Sequence, residues 1–203
     1  QSATELVETS SNITIDRDLM ITMRDGINIA VDVFRPAVPG LYPTLYASGP
    51  FTHDDQTIPD NALTGPIEWY VTQGYVYVLG STRGTGLSEG QFEFLSKEEQ
   101  QDQYEIIEWI AEQEWSDGKI GGIGAAYYAN TQWLMATQNP PHLSCIAPFN
   151  GVPDTYRDWA YQGGLANLAF TQDWYDQQIR ISNAFPESGT GRLVEYDLRL
   201  QQL

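Results

Sequence analysis

Between Gly118 and Trp133 the chain reads GKIGGIGAAYYANTQW, a run that few architectures can accommodate. Lys119 to Gly124 has the small and β-branched content of a short buried strand, and Tyr127 to Gln138 carries apolar residues at helical spacing. Gly121, Gly122 and Gly124 crowd the end of the strand. A chain that turns directly from strand into helix needs glycine there, because backbone passes backbone and leaves no room for a Cβ. Such a turn is a nucleophile elbow: its tip residue sits on strained backbone at the carboxyl edge of a sheet, with helix N–H groups beside it. The tip here is Ala126, so a methyl group stands where the geometry would present a hydroxyl.

The flanking sequence predicts the sheet. Ile13 to Met23 alternates apolar and polar residues, Arg24-Asp25-Gly26 is a turn signal, and Ile27 to Phe34 alternates again, which predicts a β-hairpin. Pro43 to Ser48 reads as a short strand running into the loop Gly49-Pro50-Phe51-Thr52-His53, at the edge where open α/β sheets bind ligands. Pro66 begins a helix that stops at Gly74, and Tyr75 to Leu79 is a strand. Ser96 and Glu99 form a capping box for a helix with Tyr104, Ile107 and Ala111 along one face, beside Ile106 and Ile110. After Pro140-Pro141, Leu143 to Pro148 is another strand, and Cys145 within it reads as core. Strands and helices alternate, which implies a mostly parallel sheet with helices on both faces behind an opening antiparallel hairpin.

Charge narrows the partners. With 10 basic and 27 acidic residues the formal charge is −17, which repels nucleic acid and anionic membrane surfaces. No apolar stretch approaches the ~18 residues of a membrane span, and Gln1 opens no charged-then-apolar signal pattern. A soluble protein is expected, with the cytoplasm slightly favoured, and no metal or cofactor is called for. Asn12-Ile13-Thr14 is a glycosylation triplet, meaningful only in a secreted chain.

Gly124, Ala126, Tyr127 and Ala129, followed by Thr131-Gln132-Trp133, resemble the elbow of the CocE/NonD hydrolases, the peptidase S15 group of α/β-hydrolases. That family's pattern is Gly-x-Ser-Tyr-x-Gly and then Thr-Gln-Trp; this chain departs from it at Ala126 and Ala129. MRDG and VDVFRP in the hairpin, Thr82-Arg83-Gly84, Ser88-Glu89-Gly90 and DTYRDWAY from Asp154 resemble further family segments, although Ser81 stands where the family usually has an acid. The resemblance covers Ile13 to Gly164. It implies an α/β-hydrolase fold with residues 1–151 as the amino-terminal part of the hydrolase domain and 152–203 as the start of a helical cap.

The resemblance also implies the site. Ala126 takes the position of the nucleophilic serine, and the Tyr127 backbone N–H is an oxyanion donor. Phe51 takes the position of the tyrosine that supplies the second donor, and it has no hydroxyl. His53 and the aromatics Tyr156, Trp159 and Tyr161 are the candidates for substrate binding. His142 lies beyond a helix of about a dozen residues, some 17 Å from the tip at ~1.5 Å per residue, and is excluded as the base. The family's acid and histidine follow the cap, so the remainder of the polypeptide or a second chain is expected to carry them and to complete the core; a homo-oligomer is left open. Two functional readings follow, beside a structural one in which the fragment is an assembly partner with no site. One is a serine hydrolase of ester or amide/peptide bonds working through an acyl-enzyme, inactive as written. The alternative is a naturally non-hydrolytic protein on the same fold that binds or reshapes a small apolar ligand.

Overall fold

The computed structural model describes residues 7–10, 12–50, 60, 61 and 63–168. In chain order the elements are β1 (Val7–Ser10), β2 (Ile13–Thr22), β3 (Asn28–Pro36), β4 (Tyr42–Gly49), a minor pair β5 (Asp60–Asn61) and β6 (Gly65–Pro66), and α1 (Ile67–Thr72). Then follow β7 (Val76–Ser81), α2 (Lys97–Ala111), β8 (Ser116–Ala125), α3 (Tyr127–Thr137) and β9 (Leu143–Phe149). The main sheet has the order β1-β2-β3-β7-β4-β8-β9. β1, β2 and β3 pair antiparallel, as does β3 with β7, whereas β7, β4, β8 and β9 run parallel. The hairpin and the parallel sheet expected from the sequence are both present, with β1 added outside them.

Alternation along the central strands explains why both faces are covered. Val76 and Val78 enter one core with Tyr46, Ile106, Ile107, Ile110 and Met135, while Tyr77 and Leu79 enter the other with Ala47, Ile67, Val71 and Tyr128. Strands buried on both faces need a helix layer on each; α2 supplies one and α1 the other. Tyr46 and Tyr77 are completely buried, and each hydroxyl has a partner: Tyr46 donates to Gln103 Oε1 (2.6 Å) and Tyr77 to the Thr64 carbonyl (2.9 Å).

Helix α2 differs from its sequence reading in an instructive way. The buried stripe is Glu99, Asp102, Gln103, Ile106, Ile107 and Ile110; Tyr104 is only half-buried. The capping box is half formed. Ser96 Oγ accepts the Glu99 N–H at 3.1 Å, but the Glu99 carboxyl turns inward to the Tyr127 hydroxyl instead of back to the Ser96 amide. The amino-terminal turns of α2 therefore face the carboxyl edge of the sheet with buried polar groups. Asp102 takes a bidentate pair from Arg83 (2.8 and 2.6 Å), and Arg83 also reaches Asp25 in the hairpin turn (2.6 Å), so this network pins the loop after β7. Burial pushes the Asp102 carboxyl above its usual range against the pull of Arg83, whereas the Arg83 hydrogen bond lowers Asp25.

Cys145 is exposed rather than core. β9 is the last strand in the order, with β8 as its one strand neighbour among the described residues, so its outer residues lack a covering layer there. Phe149 at its end is 58% exposed. After β9 the chain makes a wide turn over Tyr156–Ala160, closed by the Tyr161 N–H on the Tyr156 carbonyl (2.7 Å), and a tighter one over Gln162–Gly164. No helix among the described residues is long and apolar enough to cross a membrane.

Candidate active site

Gly49, Ser81, Ala125 and Phe149 end the four parallel strands at one edge, as the pairs Gly49 with Ser81 and Ala125 with Phe149 show. Between β8 and α3 at that edge stands one residue, Ala126, with φ 56° and ψ −115°. A side chain adopts this backbone only under strain, at a cost on the order of 1–3 kcal/mol, and it persists when the surroundings over-determine it. They do so here. The Ala126 N–H donates to the Phe149 carbonyl (3.0 Å), the Ala125 N–H to the Leu63 carbonyl (2.9 Å), and the Ala126 carbonyl accepts from the amides of Ala129 and Asn130 (both 3.1 Å).

The glycines before the tip face the helix that follows it. A Cβ on Gly124 would lie 2.5 Å from the Tyr128 Cβ and 3.2 Å from the Leu63 carbonyl oxygen, and one on Gly122 would lie 2.9 Å from the Gln132 Cγ. Gly121 instead faces the Cys145 Sγ across the sheet, at 3.2 Å. Close approach, much of it by side chains of α3, is thus what excludes a Cβ. The Thr-Gln pair has its own task. Thr131 Oγ1 donates to the Ser48 carbonyl (2.9 Å), Gln132 Nε2 donates to the carbonyls of Gly124 (3.3 Å) and Tyr128 (3.0 Å), and Gln132 Oε1 accepts the Ala147 N–H (2.9 Å). Two buried side chains thereby tie the elbow helix to the ends of β4, β8 and β9.

Tyr127, the first residue of α3, is buried; its hydroxyl donates to Glu99 Oε2 (2.8 Å) and accepts the Leu95 N–H (3.3 Å). Burial, with the nearby Asp102 charge adding to it, pushes the Glu99 carboxyl up to about 8. The Tyr127 hydroxyl is raised well above its ordinary value by burial and by Glu99. Phe94 stands edge-on to the Tyr127 ring at 5.6 Å, and Trp159 leans on Phe94 at 6.1 Å.

Of the site residues read from the sequence, Ala126, Tyr127 and Trp159 come together at this edge, the last through Phe94. Tyr156 and Tyr161 stack on each other at 4.6 Å and are 63% and 41% exposed, with no hydrogen bond or ring contact to the elbow among the described residues. Phe51 and His53 lie outside the described residues. His142 is exposed and pairs with Glu108 (2.8 Å) beside the start of β9, at the opposite edge of the sheet from the tip. Glu99 and Phe94 were missed. Extending the stripe Ile106, Ile107, Ile110 back by two turns reaches Gln103, Asp102 and Glu99, a signal obscured because polar residues read as a solvent face.

Replacing Trp159 by alanine separates a binding role from packing. The expected result is on the order of tenfold weaker binding of a non-hydrolysable apolar ester analogue, the size of one aromatic contact, with a small change in the thermal midpoint. A stability loss with unchanged affinity would assign Trp159 to packing against Phe94 alone.

Comparison with known proteins agrees with this geometry. The chain is 34% identical over 164 residues to the cocaine esterase of Rhodococcus sp. (strain MB1 Bresler), covering 80% of this chain and 28% of that protein. Two crystal structures of a CocE/NonD family hydrolase from Staphylococcus aureus match it with TM-scores of 0.79 and 0.76, at 31% and 32% identity. They cover 92% and 84% of this chain, and 36% and 34% of theirs. The chain thus spans between 28% and 36% of the length of these relatives. The family model of the X-Pro dipeptidyl-peptidases matches residues 25–193. With a strained strand-to-helix tip at the carboxyl edge of the sheet and that match over most of its length, the chain belongs to the X-Pro dipeptidyl-peptidase (S15) family of α/β-hydrolases.

Proposed function

We propose that this chain is part of a serine-hydrolase scaffold for ester or amide/peptide bonds, with alanine at the nucleophile position, so that it binds substrate without turning it over. The backbone of Ala126 carries this reading. A tip at φ 56° and ψ −115° is the conformation that lifts a serine Oγ clear of the sheet, and an alanine gains nothing from its strain. With serine there, Oγ would attack the carbonyl carbon while a base takes its proton. The oxyanion would meet the Tyr127 N–H, the leaving group would depart protonated, and water would then release the acyl group. The acid and histidine would come from the remainder of the polypeptide or from a second chain, because His142 lies at the wrong edge. Phe94 and Trp159 would wall the acyl side.

The non-hydrolytic alternative draws support from Phe51, which stands at the position of the family's oxyanion tyrosine. Loss of one such donor typically costs on the order of a hundredfold to a thousandfold in rate. Both substitutions suit a protein that only binds.

Ala126→Ser in the full-length protein, assayed with p-nitrophenyl esters of short acids, decides between the readings. Loss of a nucleophile typically costs on the order of 10⁶-fold in kcat, so its return despite the missing tyrosine hydroxyl is expected to raise turnover on the order of a thousandfold over the Ala126 parent. Turnover equal to the parent's favours the binding protein.

A further inference from the structure

Glu99 is 2% exposed, and its carboxyl lies behind the elbow. Its Oε2 accepts the Tyr127 hydroxyl, and its Oε1 has no hydrogen-bond partner among the described residues. A buried carboxyl with one oxygen unmatched costs stability, on the order of 1–3 kcal/mol for a neutral group and more for a charged one. A leucine of similar size would avoid that cost, so the carboxyl calls for a reason beyond packing.

The neighbouring contacts suggest one. The tip nitrogen and carbonyl are fixed by Phe149, Ala129 and Asn130, as described above. The peptide N–H after the tip belongs to Tyr127, whose side chain is tethered to α2 through Glu99 and to the loop before α2 through Leu95. An oxyanion donor must be held to within about 0.5 Å to be effective. We propose that Glu99 is a positioning residue for the elbow: by gripping the Tyr127 hydroxyl from α2 it fixes the Tyr127 N–H that would face a developing oxyanion. This rests on the hydrolase reading for its functional meaning, but not for the tether itself.

Glu99 performs this role as the neutral acid. Among the described residues, the charged and titratable groups facing it act in definable directions. Asp102, one turn along α2, raises it and is itself held by Arg83; the Tyr127 hydroxyl lowers it; Tyr46 on β4 is a neutral phenol. Burial outweighs the rest, the Leu95 backbone N–H included, and places its titration near pH 8, above which an ionised carboxylate would sit in the dry interior.

The test uses the full-length protein with Ala126→Ser and p-nitrophenyl acetate. Adding Glu99→Leu or Tyr127→Phe is expected to lower kcat on the order of tenfold to a hundredfold with KM within about twofold, because an interaction felt in the transition state has been loosened. Glu99→Gln, which keeps an acceptor and cannot ionise, is expected to recover most of that loss and to remove a decline in kcat above about pH 8. Unchanged kcat in Glu99→Leu, or one pH profile for parent and Glu99→Gln, overturns the proposal.

If the serine protein itself turns nothing over, the hydrolase reading fails, and hydrogen exchange in the Ala126 protein decides the tether. The amides of Ala129 and Asn130, both bonded to the Ala126 carbonyl, are expected to exchange at least about tenfold faster in Glu99→Leu relative to Val78 and Leu79 of the sheet core, and to stay protected in Glu99→Gln. Equal change at both places shows a general loss of stability and overturns the proposal as well.

Discussion

Replacing Gly124 by alanine is expected to destabilise the protein by on the order of 3–5 kcal/mol, a large share of the 5–15 kcal/mol that holds a typical domain together. Two costs combine. Gly124 has φ 128°, where an L side chain is strained by on the order of 1–3 kcal/mol, and the new methyl would lie 2.5 Å from the Tyr128 Cβ. That neighbour is the root of a side chain on a helix pinned by Thr131 and Gln132, so it cannot swing aside, and overpacking adds about 1–3 kcal/mol. Gly74→Ala is the matched control. Gly74 also has positive φ, 89°, but nothing lies within 4 Å of its added Cβ, so only the strain remains. Urea unfolding of both variants in the full-length protein measures the difference; equal losses would mean that the elbow is not closely packed.

The second large effect is a gain. Glu99 titrates near pH 8 when folded, against an ordinary value of 4.5. Below the lower value it is neutral in both states and adds no pH dependence. Between the two, the unfolded chain has released a proton that the folded chain keeps, so stability falls as pH rises, by about 1.4 kcal/mol per pH unit. Above about 8 both states are ionised and the full burial penalty is present. Glu99→Gln lacks this titration. It is therefore expected to match the parent near pH 4.5 and to exceed it by on the order of 3–5 kcal/mol at pH 8. Denaturant unfolding at pH 5, 6.5 and 8 gives the comparison. A constant difference across that range would show that Glu99 is ionised in the folded protein.

Much of this architecture was legible in the sequence because its signals are local. The glycines before Tyr127 marked the elbow, and the alternation of apolar and polar residues marked the hairpin strands. What escaped notice depends on neighbours distant in the chain. Glu99 reads as half of a capping box, and only the packing of α3 over α2 turns it inward. Cys145 sits in an apolar run that looks like core, but its exposure follows from the place of β9 in the sheet order. Phe94 carries no pattern at all; its proximity to Tyr127 and Trp159 arises where the loop before α2 meets the segment after β9. The positions of Phe51 and His53 lie outside the described residues, so the candidate site joins a turn defined by the structure to a loop known from sequence alone.

If Ala126 occupies the position of an attacking nucleophile, a serine placed there is reactive. Covalent capture examines it most directly: treat the full-length Ala126→Ser protein with an alkyl fluorophosphonate, digest it, and measure peptide masses against the Ala126 parent. The expected result is one phosphonyl adduct, on Ser at 126, with the parent unlabelled. Failure of that serine to react under conditions that label an active serine hydrolase would contradict the assignment.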